Sequence, residues 1–200
     1  MKALLASGNR GKLLELQAIL HSHGIELISC ADAGIALPAV EETGATYLEN
    51  ARLKAEALAK SSGLPALGDD SGLEVDALEG APGILSARFS GINATDAGNI
   101  KLLLEKMSGQ PGRSARFRCV LALAWPDGTV IPAEGILAGS IATSERGTNG
   151  FGYDPVFVLP DGRHMAELSA GEKDAISHRA VAAENLASEL GRAGIIRPQG

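Results

Sequence analysis

Three features of the sequence predict an α/β protein built on a mixed β-sheet. Ala3-Leu4-Leu5-Ala6 is a short apolar run that passes at once into Ser7-Gly8-Asn9-Arg10-Gly11-Lys12, after which Leu13, Leu16 and Leu20 recur at helical spacing. That is the pattern of a buried strand, a tight loop and a helix. Leu64-Pro65-Ala66-Leu67 reads as another short buried strand, preceded by a segment of helical period. Ala115 to Trp125 carries the clearest strand signal, with Phe117, Cys119, Leu121, Leu123 and Trp125 on one face and Arg116 and Arg118 on the other near its start, and the turn Pro126-Asp127-Gly128-Thr129 returns it as a partner strand from Val130 to about Ala142. Strand–helix units favour parallel pairing and a hairpin is antiparallel, so the two together predict a mixed sheet.

Composition narrows the class. Two hundred residues, 45% of them hydrophobic and 21% charged, suffice for one sizeable domain or two lobes sharing a core. The net charge of −6 argues against a nucleic-acid surface, although a local cluster of lysines can still hold a small anion. Cys30 and Cys119 are too few and too scattered for a disulfide framework or a Cys-based zinc site, and read as ordinary thiols of a reducing compartment. The apolar run after Lys2 is too short for a secretory segment, and no later run approaches a membrane span. A cytoplasmic protein without membrane or nucleic-acid partners is expected.

Taken in order, the first loop offers Asn9 as a helix cap, and the backbone N–H groups of a helix start beside Lys12 form a seat for phosphate. It is not a Walker loop, because only two residues separate Gly8 from Gly11-Lys12 and Leu13 stands where Ser or Thr is needed. A capped turn with a surface lysine fits the same residues. Glu26 to Ser29 reads as a second strand. Thr46 and Glu49 have capping-box spacing, which predicts a helix from about Tyr47 to Ser61 with Leu48, Ala51, Ala55 and Leu58 on its apolar side. Asn50 and Lys54, four apart, then share a side facing away from that seam, and Glu41-Glu42 lie in the loop just before it.

Beyond Gly72 the chain is rich in loops, with Leu73 and Val75 alternating against Glu74 and Asp76 like one half-exposed strand. Thr95 is expected to cap a helix carrying Ile100, Leu103, Leu104 and Met107, and Arg116 and Arg118 are expected to be solvated. Gly150-Phe151-Gly152-Tyr153-Asp154-Pro155 places two aromatics in a glycine-rich loop before a strand Val156 to Leu159. Such a loop can stack a ring on a base, or serve as a hairpin loop with a buried Phe. Ser177 is placed to cap a last helix bearing Val181, Leu186 and Leu190, with Gly191 ending it.

The chemistry concentrates at Gly68-Asp69-Asp70-Ser71-Gly72-Leu73, which the sequence places at the carboxyl end of the Leu64 to Leu67 strand, where open α/β sheets gather ligands. Two adjacent carboxylates repel each other, and a shared hard cation, Mg²⁺ or Mn²⁺, would remove the conflict. A solvated Asp-Asp-Ser-Gly turn fits the same residues. A phosphatase working through an aspartyl-phosphate is disfavoured, since it needs a second carboxylate two residues after the nucleophile and Ser71-Gly72 stand there. A binding module without catalysis would need neither the base nor the metal ligands present here.

Assembled in order, Ser7 to Lys12, Glu41-Glu42-Thr43-Gly44, Glu49-Asn50-Ala51 with Lys54-Ala55, Asp69 to Leu73, Gly150 to Pro155 and Ser177-His178-Arg179 resemble the inosine triphosphate pyrophosphatases. The resemblance runs nearly end to end and is nearest to the bacterial housecleaning branch. It implies an elongated mixed sheet flanked by helices, one domain over residues 1–200 with two lobes and a central substrate cleft, and a homodimer. It also implies Mg²⁺-dependent hydrolysis of deaminated purine nucleoside triphosphates to monophosphate and pyrophosphate. Asp70 matches the proton acceptor and metal contact, Glu41 its partner at the metal, and Glu42, Lys12 and Lys54 the supporting catalytic groups, with the choice of Glu41 or Glu42 as metal ligand left open. Ser7, Gly8, Asn9, Arg10, Gly11 and Lys12 match the triphosphate loop and Ser71 a substrate contact. Phe151, Gly152, Tyr153 and Asp154 match the base-pocket loop, and Lys173, His178 and Arg179 the remaining substrate contacts. Leu85 and Ser144-Glu145 depart from residues frequent in the family, outside these motifs.

Overall fold

The computed structural model describes residues 1–196 and contains one six-stranded sheet with helices around it. In chain order its principal elements are β1 (Lys2–Leu5), α1 (Arg10–Ser22), β2 (Glu26–Ser29), α2 (Tyr47–Ser62), β3 (Ala66–Val75) and α3 (Asp96–Lys106). There follow β4 (Ser114–Ala124), β5 (Val130–Ile141), β6 (Phe157–Val158), α4 (Ala170–Ile176) and α5 (His178–Arg192). The strand order is β2-β1-β3-β4-β5-β6. β1 pairs in parallel with β2 and with β3, while β6 runs antiparallel to β5, so the sheet is mixed as expected. Trp125 N–H bonds to Thr129 O and Ile141 N–H to Arg113 O. Both bonds share one antiparallel register, which makes β4 and β5 the predicted hairpin.

The chain divides into two compact units, and the boundaries fall inside β3, β4 and β5. The first comprises Met1–Asp70, Cys119–Gly135 and the chain from His178. Its core gathers Leu5, Leu16, Leu20, Leu67, Leu121 and Leu186, and α1 packs against both β2 and α5. The second comprises Ser71–Arg118 and Ile136–Ser177. Its core gathers Leu73, Leu103, Met107, Phe117, Phe157 and Met165, with the Phe117 and Phe157 rings 4.3 Å apart.

Local signals explain the helix starts. Asn9 caps α1 and Thr95 caps α3, while Thr46 and Glu49 form the full capping box of α2. Each side-chain oxygen takes an N–H that the first turn would leave without a partner, an arrangement that stabilises a helix by about 1 kcal/mol.

Several expectations are corrected. The strand placed at Leu64 to Leu67 is the ten-residue β3, so Asp69 and Asp70 sit in mid-strand and not at a strand end. Gly68 makes this possible, since a Cβ there would lie 2.0 Å from the Ala51 carbonyl oxygen of α2. The helix must pack on bare backbone. On α2 the buried residues are Tyr47, Asn50, Ala51, Ala55, Leu58 and Ala59, whereas Leu48 is exposed. Asn50 therefore faces inward, contrary to a reading that sorted the helix by polarity alone. Val181 is likewise exposed, with Ala180, Ala182, Ala183 and Ala187 forming the buried side of α5 alongside Leu186 and Leu190. The same helix continues through Gly191 to Arg192. A helix not foreseen, α4, ends at Ile176 with Ser177 as its C-cap, and Ser177 directly precedes α5, at the position where it was expected to cap that helix. The strand expected from Val156 to Leu159 shortens to Phe157–Val158. Arg116 bonds to Glu74 and Asp76 and Arg118 lies 3.4 Å from Glu74, so neither is simply solvated.

Candidate active site

Successive residues of a strand point to opposite faces of the sheet, and this separates the two aspartates of β3. Asp70 shares its face with Gly68 and so looks toward α2. Asn50 donates from Nδ2 to Asp70 Oδ2 at 3.1 Å. Lys54, one turn further along α2, places Nζ 3.6 Å from Asp70 Oδ1 and 3.0 Å from Glu42 Oε1. Burial pushes the Asp70 carboxyl above its ordinary value, while Lys54 and the Asn50 hydrogen bond pull the other way and the Glu42 charge adds to the rise.

Asp69 looks to the other face and is enclosed. Lys12 Nζ bonds to Oδ1, Arg179 Nε donates to Oδ2 at 3.2 Å, and the Cys119 thiol lies 3.4 Å from the same oxygen. Arg179 Nη1 reaches Glu15 Oε2 at 2.6 Å, so its guanidinium bridges two carboxylates. Burial alone would raise the Asp69 carboxyl, but Lys12 and Arg179 overcome it and hold the group well below the usual carboxylate range. The shared cation argued from the sequence is therefore not needed to separate like charges, because each aspartate has its own basic partner.

The loop from Ser7 to Lys12, expected to hold the triphosphate, uses part of its hydrogen-bonding capacity on itself. Asn9 Oδ1 accepts the N–H groups of Gly11 and Lys12, and Ser7 Oγ accepts that of Asn9, so these donors already have partners. Ser7, Gly8, Asn9 and Arg10 also line an open cavity of about 490 Å³ with Ser29, Asp32 and Leu37. Glu41 is exposed, whereas the Glu42 side chain turns to Lys54 and Asp70. His178, the first residue of α5, is buried beside Arg179 in sequence.

In the second unit, Ser71 continues β3, half buried. Lys173 is buried on α4 and donates to Asp154 Oδ2 at 2.5 Å, an oxygen that also accepts the Phe151 N–H. The Lys173 ammonium stands 4.6 Å from the centre of the Phe151 ring, within cation–π range. Gly152 N–H is held by Asp96 Oδ2 at 2.7 Å. Tyr153 is buried in the core, its hydroxyl donating to the Ser86 carbonyl at 2.8 Å. Of the two aromatics expected to meet a base, Tyr153 is thus committed to packing, and Phe151 keeps a partly exposed ring.

Sequence reasoning gave Glu15 and Asp96 no place in the site, set Asn50 beside Lys54 on an outward side of its helix, and paired Asp69 with Asp70 at a shared cation. The spacing of Asn50 to Lys54 and of Lys12 to Glu15 put each pair on one helix face; what the sequence hid was the partner across the fold.

The donor set fits a hard divalent cation. Among the described residues no three His, Cys, Asp or Glu side chains come together as a closed metal site. Asp70 and Glu42 offer two carboxylates to one lysine, which leaves their group net negative. Mg²⁺ is commonly held by one or two carboxylates with substrate oxygens and waters completing the shell.

A sequence model of the Ham1 family matches residues 3–189. The chain belongs to the Ham1 family. Proteins named dITP/XTP pyrophosphatase are 48% identical in Exiguobacterium sibiricum, covering 95% of this chain and 97% of that one, and 52% identical in Streptomyces avermitilis, covering 92% and 94%. The protein of that name in Escherichia coli K12 is 47% identical, covering 94% and 98%. The solved structure of a HAM1 protein from Coxiella burnetii superposes with a TM-score of 0.86 at 45% identity, over 96% of this chain and 99% of that one. The Staphylococcus aureus Ham1 structure gives 0.85 at 41% identity, over 96% and 100%. The α/β fold with a mixed sheet is the fold of these neighbours.

Proposed function

We propose that the protein is a nucleoside triphosphate pyrophosphohydrolase that cleaves deaminated purine nucleotides, ITP, dITP and XTP, to the monophosphate and pyrophosphate. The observation that carries this reading is Asp70: a buried carboxyl raised above its ordinary value, between a lysine and an amide donor, with a second carboxylate close by. Such a group is suited to take a proton from water. The names of the relatives supply the substrate class.

The reaction breaks the anhydride bond between the α- and β-phosphorus atoms, and water supplies the oxygen that the α-phosphoryl group gains. Negative oxygens surround that phosphorus, so catalysis is mostly positioning and charge neutralisation. A cation about 4 Å from a phosphate oxygen gains roughly 1 kcal/mol in bulk water and about 4 at the effective dielectric near a protein surface. Lys54 stands beside Asp70, the proton acceptor in this reading, and Lys12, bonded to Asp69, adds positive charge that is also felt at Asp70. The family is divalent-metal dependent, and Asp70 with Glu42 would hold the ion, for which we propose Mg²⁺. When bound, it would offset phosphate charge and lower the pKa of a coordinated water.

Selectivity follows from the purine edge. Inosine and xanthosine carry a 6-keto acceptor where adenine carries an amino donor, and a donor left facing a donor costs about 1–3 kcal/mol when buried. His178 is the buried donor proposed for this role. Two donor groups of Arg179 already serve Asp69 and Glu15. The resemblance supports a homodimer and a cytoplasmic setting; among the described residues no helix is long and apolar enough to cross a membrane. The test is incubation with ITP, XTP, ATP and GTP in Mg²⁺ with identification of the phosphorus species released. Pyrophosphate from ITP and XTP, far ahead of ATP and GTP in kcat/KM, is expected. Orthophosphate, or equal turnover of ATP and ITP, overturns the assignment.

A further inference from the structure

We propose that Asn50 is the positioning residue of this site: one buried amide fixes the Asp70 carboxylate through its N–H and the loop carrying Glu42 through its carbonyl. The proposal rests on the reading of Asp70 as the proton acceptor and deepens it.

Asn50 is 0% exposed, an unusual place for an amide on a helix face that otherwise buries Ala51, Ala55 and Leu58. Taking an amide out of water is unfavourable unless both of its ends are paired. Here both are. Nδ2 donates to Asp70 Oδ2 at 3.1 Å, and Oδ1 accepts the Gly44 N–H at 2.8 Å. Only one orientation of the amide satisfies both partners, since the reverse would set donor against donor and acceptor against acceptor. The side chain is therefore a directional clamp and not a space-filling group.

The clamp joins two segments distant in sequence. Gly44 lies two residues after Glu42, and Glu42 reaches Lys54, which lies one turn after Asn50 on the same helix. Residue 44 has to be glycine for this to form, because a Cβ there would stand 2.7 Å from Asn50 Oδ1 and 2.6 Å from Glu49 Cβ. Gly68, two residues before Asp70 on the same face of β3, lets the α2 backbone come close enough for the short Asn side chain to reach the strand. Two glycines and one amide thus set the relative placement of the proton acceptor and the second carboxylate. Asn50 itself touches neither substrate nor water in this scheme.

The experiment compares Asn50→Ala, Asn50→Asp, Asp70→Asn and the swapped double variant Asn50→Asp/Asp70→Asn, by steady-state kinetics with ITP and by thermal unfolding. Asn50→Ala is expected to lower kcat about 100-fold, the scale of a misplacement of about 1 Å in a reacting group, with KM within about threefold. A structural role would lower the melting temperature without that split. Asn50→Asp sets two carboxylates face to face and is expected to lower the melting temperature. Adding Asp70→Asn restores an amide–carboxylate pair with the roles exchanged, and is expected to recover the melting temperature while activity stays lost. This arm needs no activity and remains informative if Asn50→Asp folds poorly. A folded Asn50→Ala protein with kcat within threefold of wild type, a rise confined to KM, or a swap that recovers no stability overturns the proposal. If Asp70→Asn is inactive while Asn50→Ala is fully active, only the role of Asn50 fails. An active Asp70→Asn removes the reading of Asp70 beneath it.

Discussion

Asp69 and Asp70 are chemically identical neighbours on one strand, and the fold shifts them in opposite directions from the ordinary carboxylate value. Asp69 is wholly enclosed between Lys12 and Arg179, with no part of its side chain exposed, and is held ionised. Asp70 has one amide donor at 3.1 Å and one lysine at 3.6 Å, with Glu42 adding negative charge, and burial prevails in raising it. A saturated carboxylate is an anchor: it fixes the basic groups of α1 and α5. An under-compensated one fits the reactive role proposed for Asp70, because its charge is only partly neutralised by fixed partners and leaves room for a proton or a metal ion. Strand periodicity alone decides which aspartate receives which environment.

The largest expected effect breaks the comparison at Asp70. Asp70→Asn keeps the shape and can still receive the Asn50 hydrogen bond, but it cannot take up a proton or serve as an anionic ligand. Turnover of ITP should fall by about 10³-fold or more, with the melting temperature unchanged or higher, since an unfavourably buried charge is gone. A variant within tenfold of wild type would remove Asp70 from the mechanism.

Asp69→Ala should do the reverse and strike stability first. It leaves Lys12 and Arg179 without their common partner, and breaking a buried ion pair from one side costs about 3–5 kcal/mol. Denaturant unfolding should show that loss, while protein that remains folded keeps measurable turnover. A stability loss below about 1 kcal/mol would mean that the network does not anchor α1 to α5.

Lys54→Ala comes next. Lys54 faces the carboxylate proposed as proton acceptor and is largely screened from solvent, so its removal should lower kcat/KM by about 100-fold, the effect of deleting one preorganised charge-stabilising donor. Added salt should not reproduce the loss, because enclosed charges are screened less than exposed ones. Normal kcat/KM would place the phosphate elsewhere.

How much of this was legible in the sequence depended on whether the partner of a residue was local. Asn9, Thr46 with Glu49, and Thr95 cap the helices they were expected to cap, because a cap is closed within three residues. The β4–β5 hairpin was also legible from alternation and its turn. Gly68, Ser71 and Gly72 are turn formers by habit, and only the approach of α2 to bare backbone at Gly68 shows why they lie in a strand. Asn50 reads as facing away from the packing seam until Asp70, twenty positions away, is seen to accept its hydrogen bond. The burial of the Tyr153 ring was hidden for the same reason, since its hydroxyl partner, the Ser86 carbonyl, lies far off in the chain.

The smallest effect is the most direct measure of the difference between the two aspartates. A carboxyl lowered on folding, as at Asp69, contributes stability that is complete above its unfolded value near 3.9 and is lost as pH falls through the folded value. A raised carboxyl, as at Asp70, favours the folded state below the unfolded value, and that contribution is lost as pH rises through the folded one. Compared with wild type in EDTA, Asp69→Asn should therefore be at its greatest disadvantage near neutrality, the gap closing below about pH 4 at up to about 1.4 kcal/mol per pH unit. Asp70→Asn should run the other way, matching wild type most closely at low pH and gaining on it as pH rises above about 4. Urea unfolding of the three proteins between pH 3 and 7 gives both slopes. Parallel curves for the two variants would mean that the faces of β3 do not treat their aspartates differently, and the division into anchor and reactive group would fall.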